Sequence, residues 1–301
     1  MGKELAAMYP VARQTFQEAD EALGYSLSDL CFNGPEEKLK LTEITQPAIL
    51  TVSVAAHRVL QEKGISPLLA AGHSLGEYSA HVAAGTISFA DAVRTVRNRG
   101  KYMQEAVPVG QGAMAAILAM PVAEVEKVCG EAASHGEVCQ AANINSPEQI
   151  VISGSKAAVE RAAELAKARG AKRAVMLPVS APFHCSLMQP AQDRLAQDLR
   201  QLQFNSPRVP VIANIDAEEK KAAETSRDAL IRQVTGTVQW VRSMQALIAR
   251  GVEVFVEVGP GKVLCGLMRQ IDRSQTCLNV EDEASLQKTV NHLSEIKTGA
   301  F

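Results

Sequence analysis

Aromatic residues are scarce in this 301-residue chain: phenylalanine, tyrosine and tryptophan together make up 4% of it, with a single tryptophan. A core with so few rings has to come from aliphatic residues, and alanine-rich helices do much of the packing. An excess of one charge is also lacking. Lys and Arg number 31 against 33 Asp and Glu, a formal charge of −2, which excludes nucleic acid or an anionic membrane surface as the obvious main partner. No apolar run reaches transmembrane length, and no signal-peptide h-region opens the chain. The six cysteines (Cys31, Cys129, Cys139, Cys185, Cys265, Cys277) contain no C-x-x-C pair and no metal-ligand spacing. Reduced thiols in a cytoplasmic protein, with no metal, are the simplest reading. What remains is 47% hydrophobic residues, enough for a large core and a second subdomain in a soluble globular chain.

The stretch Ala71-Gly72-His73-Ser74-Leu75-Gly76-Glu77 organises the rest. An apolar run, residues 68–71, leads in, and a helix-like stretch, residues 77–84, leads out. Glycines flank the serine at i−2 and i+2, the strand–tight turn–helix setting of a nucleophile elbow. Crowding in so sharp a turn predicts that a Cβ at either glycine would clash. The same geometry exposes Ser74 Oγ and aims the Leu75 amide at an oxyanion formed there. A purely structural tight turn is the competing role.

Upstream, residues 2–8 and 10–23 read as helices, with Gly24 as a stop and Asn33-Gly34-Pro35 as a turn. Thr45-Gln46-Pro47 reads as a helix start, with Gly64 as the end. His57 on that helix reads as a packed or surface histidine, not a ligand. In the helix of residues 88–106, turning about 100° per residue from Val96 brings Phe89, Ala92, Val93 and Met103 within about 60° of it. Arg99 falls on the same face, whereas Arg94, Asn98 and Lys101 point away. A guanidinium on an inward face needs an internal carboxylate or an anionic ligand, because burying an uncompensated charge costs several kcal/mol.

From Gly112 onward the pattern is strand 113–119, helix 121–134, strands 139–144 and 149–154, helix 155–169 and strand 172–178. That β-α-β-β-α-β order is ferredoxin-like, inserted into the larger α/β unit. Near its middle, Asn143 reads as a turn residue and Asn145 stays open between turn and site. Ser180-Ala181-Pro182-Phe183-His184-Cys185 follows, leading into a helix at 188–202. A serine nucleophile needs a base, and the candidates are His57, His73, His81, His135, His184 and His292. His73 should point away from an elbow serine, and His184, on a loop, is the best of the remainder. Strands at 209–214, 251–258 and 277–280 then alternate with helices at 227–234, 240–249 and 262–271 and a final helix to about Ile296. Gly259-Pro260-Gly261-Lys262 lacks phosphate-loop spacing and reads as a tight strand-to-helix turn.

Gly72-His73-Ser74-Leu75-Gly76-Glu77-Tyr78, Arg97-Asn98-Arg99-Gly100, Gln111-Gly112-Ala113-Met114, Asn143-Ile144-Asn145-Ser146-Pro147, Phe183-His184, Val238-Gln239-Trp240 and Glu257-Val258-Gly259-Pro260-Gly261 resemble, in this order, the malonyl-CoA:acyl-carrier-protein transacylases of fatty-acid synthesis. The resemblance covers essentially the whole chain. It implies an α/β protein: an α/β-hydrolase-like core with a parallel sheet (residues 1–110 and 179–301) plus an inserted ferredoxin-like subdomain (111–178). It makes Ser74 the nucleophile, His184 the base and Leu75 N–H an oxyanion donor. Arg99 becomes the holder of the malonyl carboxylate, with Asn145 and Phe183 also at the substrate. The Gln233 backbone carbonyl takes the place of an acidic triad member in orienting His184. The Phe183-His184 pair and Leu75 resemble malonyl-selective members more than methylmalonyl-selective ones. Malonyl-CoA and a phosphopantetheinyl acyl carrier protein are the implied substrates, with no bound cofactor, in a cytoplasmic monomer. Lys167, Arg169, Lys172 and Arg173 could meet an acidic carrier.

One departure stands beside the likeness. Family members begin with a strand and a G-Q-G-x-Q stretch whose glutamine amide is a second oxyanion donor, and neither precedes Met1 here. The expectation is a truncated chain, or a start assigned too late, with poor solubility and weak activity. Three rival functions share the elbow: a serine esterase or thioesterase, a polyketide-pathway acyltransferase, and an inactive paralogue that binds carrier protein only.

Overall fold

Helices α1 (Lys3–Met8) and α2 (Pro10–Leu23) form as the sequence predicts, and Gly24 closes α2 with a left-handed φ of 73°. The computed structural model describes residues 1–134, 136–179 and 181–299; His135 and Ser180, both named above, lie outside the described residues. Short helices α3 (Leu27–Asn33) and α4 (Glu36–Leu39) flank the predicted turn at Gly34-Pro35. Helix α5 (Thr42–Glu62) begins three residues before the predicted start. The Leu41 carbonyl accepts from the Ile44 and Thr45 amides, so the first turn closes upstream of Pro47 and the proline lies inside the helix. Helix α5 is buried along most of its length and packs against α2 and α7, forming the spine of the largest apolar cluster.

Strand β1 (Ala70–Ala71) ends at the elbow, helix α6 (Gly76–Ala83) leaves it, and α7 (Phe89–Glu105) follows, capped by Ser88, whose hydroxyl accepts from the Asp91 amide. Next come β2 (Gly112–Leu118), α8 (Val122–Ala132), β3 (Cys139–Ser146), β4 (Gln149–Ser155), α9 (Lys156–Ala168) and β5 (Arg173–Met176). Their four strands pair antiparallel in the order β3-β4-β2-β5, the ferredoxin-like arrangement, over their own core of Ile117, Val128, Ile150, Ile152 and Val159. Asn143 is not a turn residue. It lies in β3 at a bulge, where the neighbouring Ala142 carbonyl and Ile144 amide bond the backbone of Val238. That bridge ties the inserted sheet to the segment following Gln233.

A single 3₁₀ turn leads into α10 (Gln189–Gln201), followed by β6 (Val211–Ile212), β7 (Glu219–Lys220), α11 (Ala223–Arg232), α12 (Trp240–Ala249), β8 (Val254–Val258), α13 (Val263–Ile271), β9 (Thr276–Val280) and α14 (Glu283–Gly299). The parallel pairs are β1 with β6 and β8 with β9. Among the described residues they belong to two separate sheets rather than one continuous parallel sheet, and the strands at 68–71 and 209–214 contract to two residues each. Beyond those residues the chain is committed to the elbow and to the loop carrying Asn214.

The cysteine expectation is corrected as well. Cys265 on α13 and Cys277 on β9, twelve positions apart, are joined by a disulfide, while Cys31, Cys129, Cys139 and Cys185 are free and buried. No sequence spacing announced this pair; packing of α13 across β9 brings its two Cα atoms to 5.4 Å.

Candidate active site

Ser74 sits at the apex between β1 and α6 with φ 52°, a left-handed backbone that a non-glycine residue adopts only when its surroundings enforce it. A Cβ on Gly72 would come within 1.9 Å of the Gly76 carbonyl oxygen, so the position admits only glycine. Gly76 differs: a Cβ there meets nothing within 4 Å, and the expected clash at that flank is absent because Gly76 already faces open space as the first residue of α6. Asn214, fully buried, clamps the turn from the far side. Its Oδ1 accepts from the Ser74 amide at 2.7 Å and its Nδ2 donates to the Gly72 carbonyl at 2.7 Å. The Leu75 amide lies at the mouth of α6, where the first N–H groups have no partner inside the helix.

His184 also adopts a left-handed backbone, φ 58°, and is 3% exposed. Its Nε2 is 2.7 Å from Ser74 Oγ, and its Nδ1 is 2.9 Å from the Gln233 backbone carbonyl. The carbonyl can only accept, so Nδ1 carries the proton and Nε2 presents a lone pair to the serine hydroxyl. Burial, then the Arg99 charge, push the His184 imidazole down to about 3, against the upward pull of the Gln233 bond. It is neutral at pH 7. Of the other histidines, His57 is half-buried with its Nε2 unpaired, and His73 Nε2 bonds Asn145 Oδ1 at 2.8 Å with its ring 5.4 Å from Trp240. Asn145 is therefore held against His73, the residue beside the nucleophile, and among the described residues makes no hydrogen bond to Ser74 or His184. Phe183 is half-buried and packs against both the main core and the inserted sheet's inner face.

Arg99 lies 2% exposed on the inward face of α7, as its helical position predicts. Its Nη1 donates to Gln46 Oε1 at 2.7 Å, and its Nη2 donates to Gln233 Oε1 at 3.0 Å and to Ser74 Oγ at 3.1 Å. The guanidinium is 5.6 Å from the centre of the Tyr78 ring. Among the described residues it has no ion pair. No carboxylate bonds the guanidinium directly: two amide oxygens stand against it, the buried Glu77 acts on it only through its charge, and Arg99 Nε has no partner, which leaves the fork able to take an anionic ligand.

Sequence reasoning missed four contributors: Gln46, the Glu77 side chain, Asn214 and the Gln233 carboxamide. Glu77 is fully buried in the first turn of α6, and its Oε2 accepts from the Asn214 amide at 3.0 Å and from Gln233 Nε2 at 2.8 Å. Burial raises its carboxyl to about 7, while those two bonds hold it down. Asn214 could have been found, since it follows an apolar run and α/β sheets place ligands outside the carboxyl ends of parallel strands. Among the described residues no His/Cys/Asp/Glu cluster could hold a metal, and no helix is long and apolar enough to cross a membrane.

The buried titratable groups make stability depend on pH. His81, fully buried on α6 with neither ring nitrogen bonded, is pushed by burial from 6.5 down to about 3, like His184. A histidine whose folded pKa is lowered stabilises fully above about pH 6.5 and loses that stability as pH falls toward 3, because the unfolded chain binds the proton first. Glu77, raised from 4.5 to about 7, runs the other way and is outnumbered. The thermal midpoint is expected to fall on acidification from about pH 6.5 to about 4.5, with up to about 1.4 kcal/mol per pH unit for each such histidine. His81→Leu should flatten the fall. Equal slopes in the two proteins would refute the assignment to His81.

The acyl transferase domain family matches residues 1–294. The malonyl CoA-acyl carrier protein transacylase of Escherichia coli K12 is 52% identical over 284 residues, 94% of this chain and 92% of that protein. The enzyme of that name from Bacillus subtilis is 47% identical over 98% of this chain and 93% of its own length. The crystal structure of the Clostridium perfringens transacylase is similar with a TM-score of 0.96, at 41% identity, covering all of this chain and 94% of that one. A malonyl-transacylase solved in complex with its type II PKS acyl-carrier protein is similar with a TM-score of 0.93, at 48% identity, covering 96% of this chain and 94% of that one. The fold is thus the α/β-hydrolase-like core with a ferredoxin-like subdomain, and the chain belongs to the acyl transferase family, among the malonyl CoA-acyl carrier protein transacylases.

Proposed function

We propose that this protein transfers the malonyl group of malonyl-CoA to the phosphopantetheine thiol of an acyl carrier protein, through a malonyl ester on Ser74, in fatty-acid synthesis. Ser74 Oγ attacks the thioester carbonyl while His184 Nε2 takes its proton, and the Leu75 N–H donates to the oxyanion. Collapse expels the CoA sulfur, which leaves with the proton from His184. The carrier thiol then gives His184 its proton, attacks the ester, and Ser74 Oγ recovers it. The Gln233 carbonyl holds the imidazole in the competent tautomer. Nucleophile and base are side chains of one chain, so the reaction needs no bound cofactor and no second copy, and a monomer suffices.

The observation that carries this reading is Arg99, a buried guanidinium with no ion pair among the described residues, 3.1 Å from Ser74 Oγ. A dicarboxylic acyl group supplies the anion, and the planar fork matches its carboxylate. Asn145 acts through His73, and Phe183 fills the wall between core and subdomain. We assign residues 1–110 and 179–301 to the core and 111–178 to a carrier-facing subdomain. There Lys172 and Arg173 are exposed without ion pairs among the described residues, whereas Arg169 pairs with Glu131 and Lys167 with Glu164. Substrates of this kind place the enzyme in the cytoplasm. Incubation with isotope-labelled malonyl-CoA should leave a malonyl ester that peptide mass spectrometry locates on Ser74 and that carrier protein discharges. A label at any other residue, or none, overturns the proposal.

A further inference from the structure

Gln233 serves two functional groups at once. Its backbone carbonyl accepts from His184 Nδ1, and its carboxamide oxygen accepts from Arg99 Nη2. A carboxamide can be turned either way round, and the wrong orientation would present an NH₂ to the guanidinium. Its orientation is settled by what lies on its other side. Gln233 Nε2 donates to Glu77 Oε2 at 2.8 Å and to the Ser74 carbonyl at 2.9 Å, both of which only accept when Glu77 is ionised. Glu77 Oε2 simultaneously accepts from the amide of Asn214, the residue that clamps the elbow. Among the described residues Glu77 makes no hydrogen bond to Arg99, Ser74 Oγ or His184; it acts on the Arg99 guanidinium only through its charge.

We propose that Glu77 is a positioning residue of the acyl transfer. Its Oε2 fixes the Gln233 carboxamide so that an acceptor faces Arg99, and it ties that glutamine to the Asn214 clamp, so that guanidinium, imidazole and serine share one hydrogen-bonded frame. The inference rests on the function proposed above. It makes reach, more than charge, the operative property: an oxygen must stand where Oε2 stands.

Two variants separate these properties. Glu77→Gln keeps an oxygen at that reach and removes the charge; Glu77→Asp keeps the charge and withdraws it by one methylene. For Glu77→Asp, kcat/KM for malonyl-CoA should fall at least about 10-fold, mostly through KM, and the malonyl-to-acetyl preference should fall by a similar factor. Glu77→Gln should stay within about 3-fold of wild type on both measures. In a Gln233→Met background, which retains the backbone carbonyl, Glu77→Asp should add less than about 2-fold. Unchanged Glu77→Asp kinetics, the reverse ranking of the two variants, or an undiminished effect in the Gln233→Met background each overturns the relay. So does an equal loss toward malonyl-CoA and acetyl-CoA with a lowered thermal midpoint, which marks a structural role only. Wild-type protein that fails to transfer malonyl at all overturns the function itself, and the relay with it.

Discussion

Ser74→Ala protein is expected to lose about 10⁴–10⁶-fold of the wild-type rate of malonyl transfer, and His184→Ala a comparable factor, with the double variant hardly worse than either. The non-additivity follows from the geometry. With Oγ and Nε2 only 2.7 Å apart, each is useless to the chemistry without the other. A neutral imidazole is the form the step requires, and burial together with Arg99 keeps it neutral by pushing it down to about 3. A carboxylate seated on Arg99 offsets the charge that helps depress it, so binding a dicarboxylic acyl group strengthens the base at the moment it is needed. Steady-state transfer and single-turnover acylation, measured with folded variants, check the prediction. Ser74→Ala protein retaining more than about 1% of the wild-type rate would remove Ser74 from the mechanism.

Local features of the fold were legible because local rules govern them. Gly24 closes α2, α7 falls within the expected span of 88–106, and the ferredoxin-like order of strands and helices could be read from alternating periodicities. Arg99 was legible for the same reason: on a helix, three positions from Val96 is the same face. The partners of that arginine were not. Gln46 and Gln233 are 53 and 134 positions away, and nothing in their own neighbourhoods marks them as acceptors for a buried cation. The disulfide between Cys265 and Cys277 was hidden likewise, since it depends on how α13 crosses β9. The reading of Gly76 erred in the opposite sense: symmetry about Ser74 in sequence suggested symmetric crowding. The chain enters the turn beside the carbonyl of Gly76 but leaves it into open space.

Arg99→Ala should separate the transferase from every rival that uses the same elbow on a neutral ester. Losing a buried charge-assisted bidentate contact costs about 3–5 kcal/mol, so kcat/KM for malonyl-CoA is expected to fall about 10²–10³-fold or more. Acetyl-CoA has no carboxylate for the guanidinium to hold, and its kcat/KM should change by less than about 10-fold, shifting the preference between the two. The variant also strips Gln46 Oε1 and Gln233 Oε1 of their donor, at about 1–3 kcal/mol each if nothing replaces it, so the thermal midpoint should drop. That loss is structural and falls on both substrates alike, which is why the ratio rather than the rate carries the test. Arg99→Lys should recover little: an ammonium cannot span Gln46, Gln233 and a carboxylate as a planar fork does. An esterase or thioesterase for neutral acyl groups would be indifferent to both substitutions. If the malonyl-to-acetyl preference survives Arg99→Ala in folded protein, the buried guanidinium is no more than a strut between two glutamines, and the diacid reading falls with it.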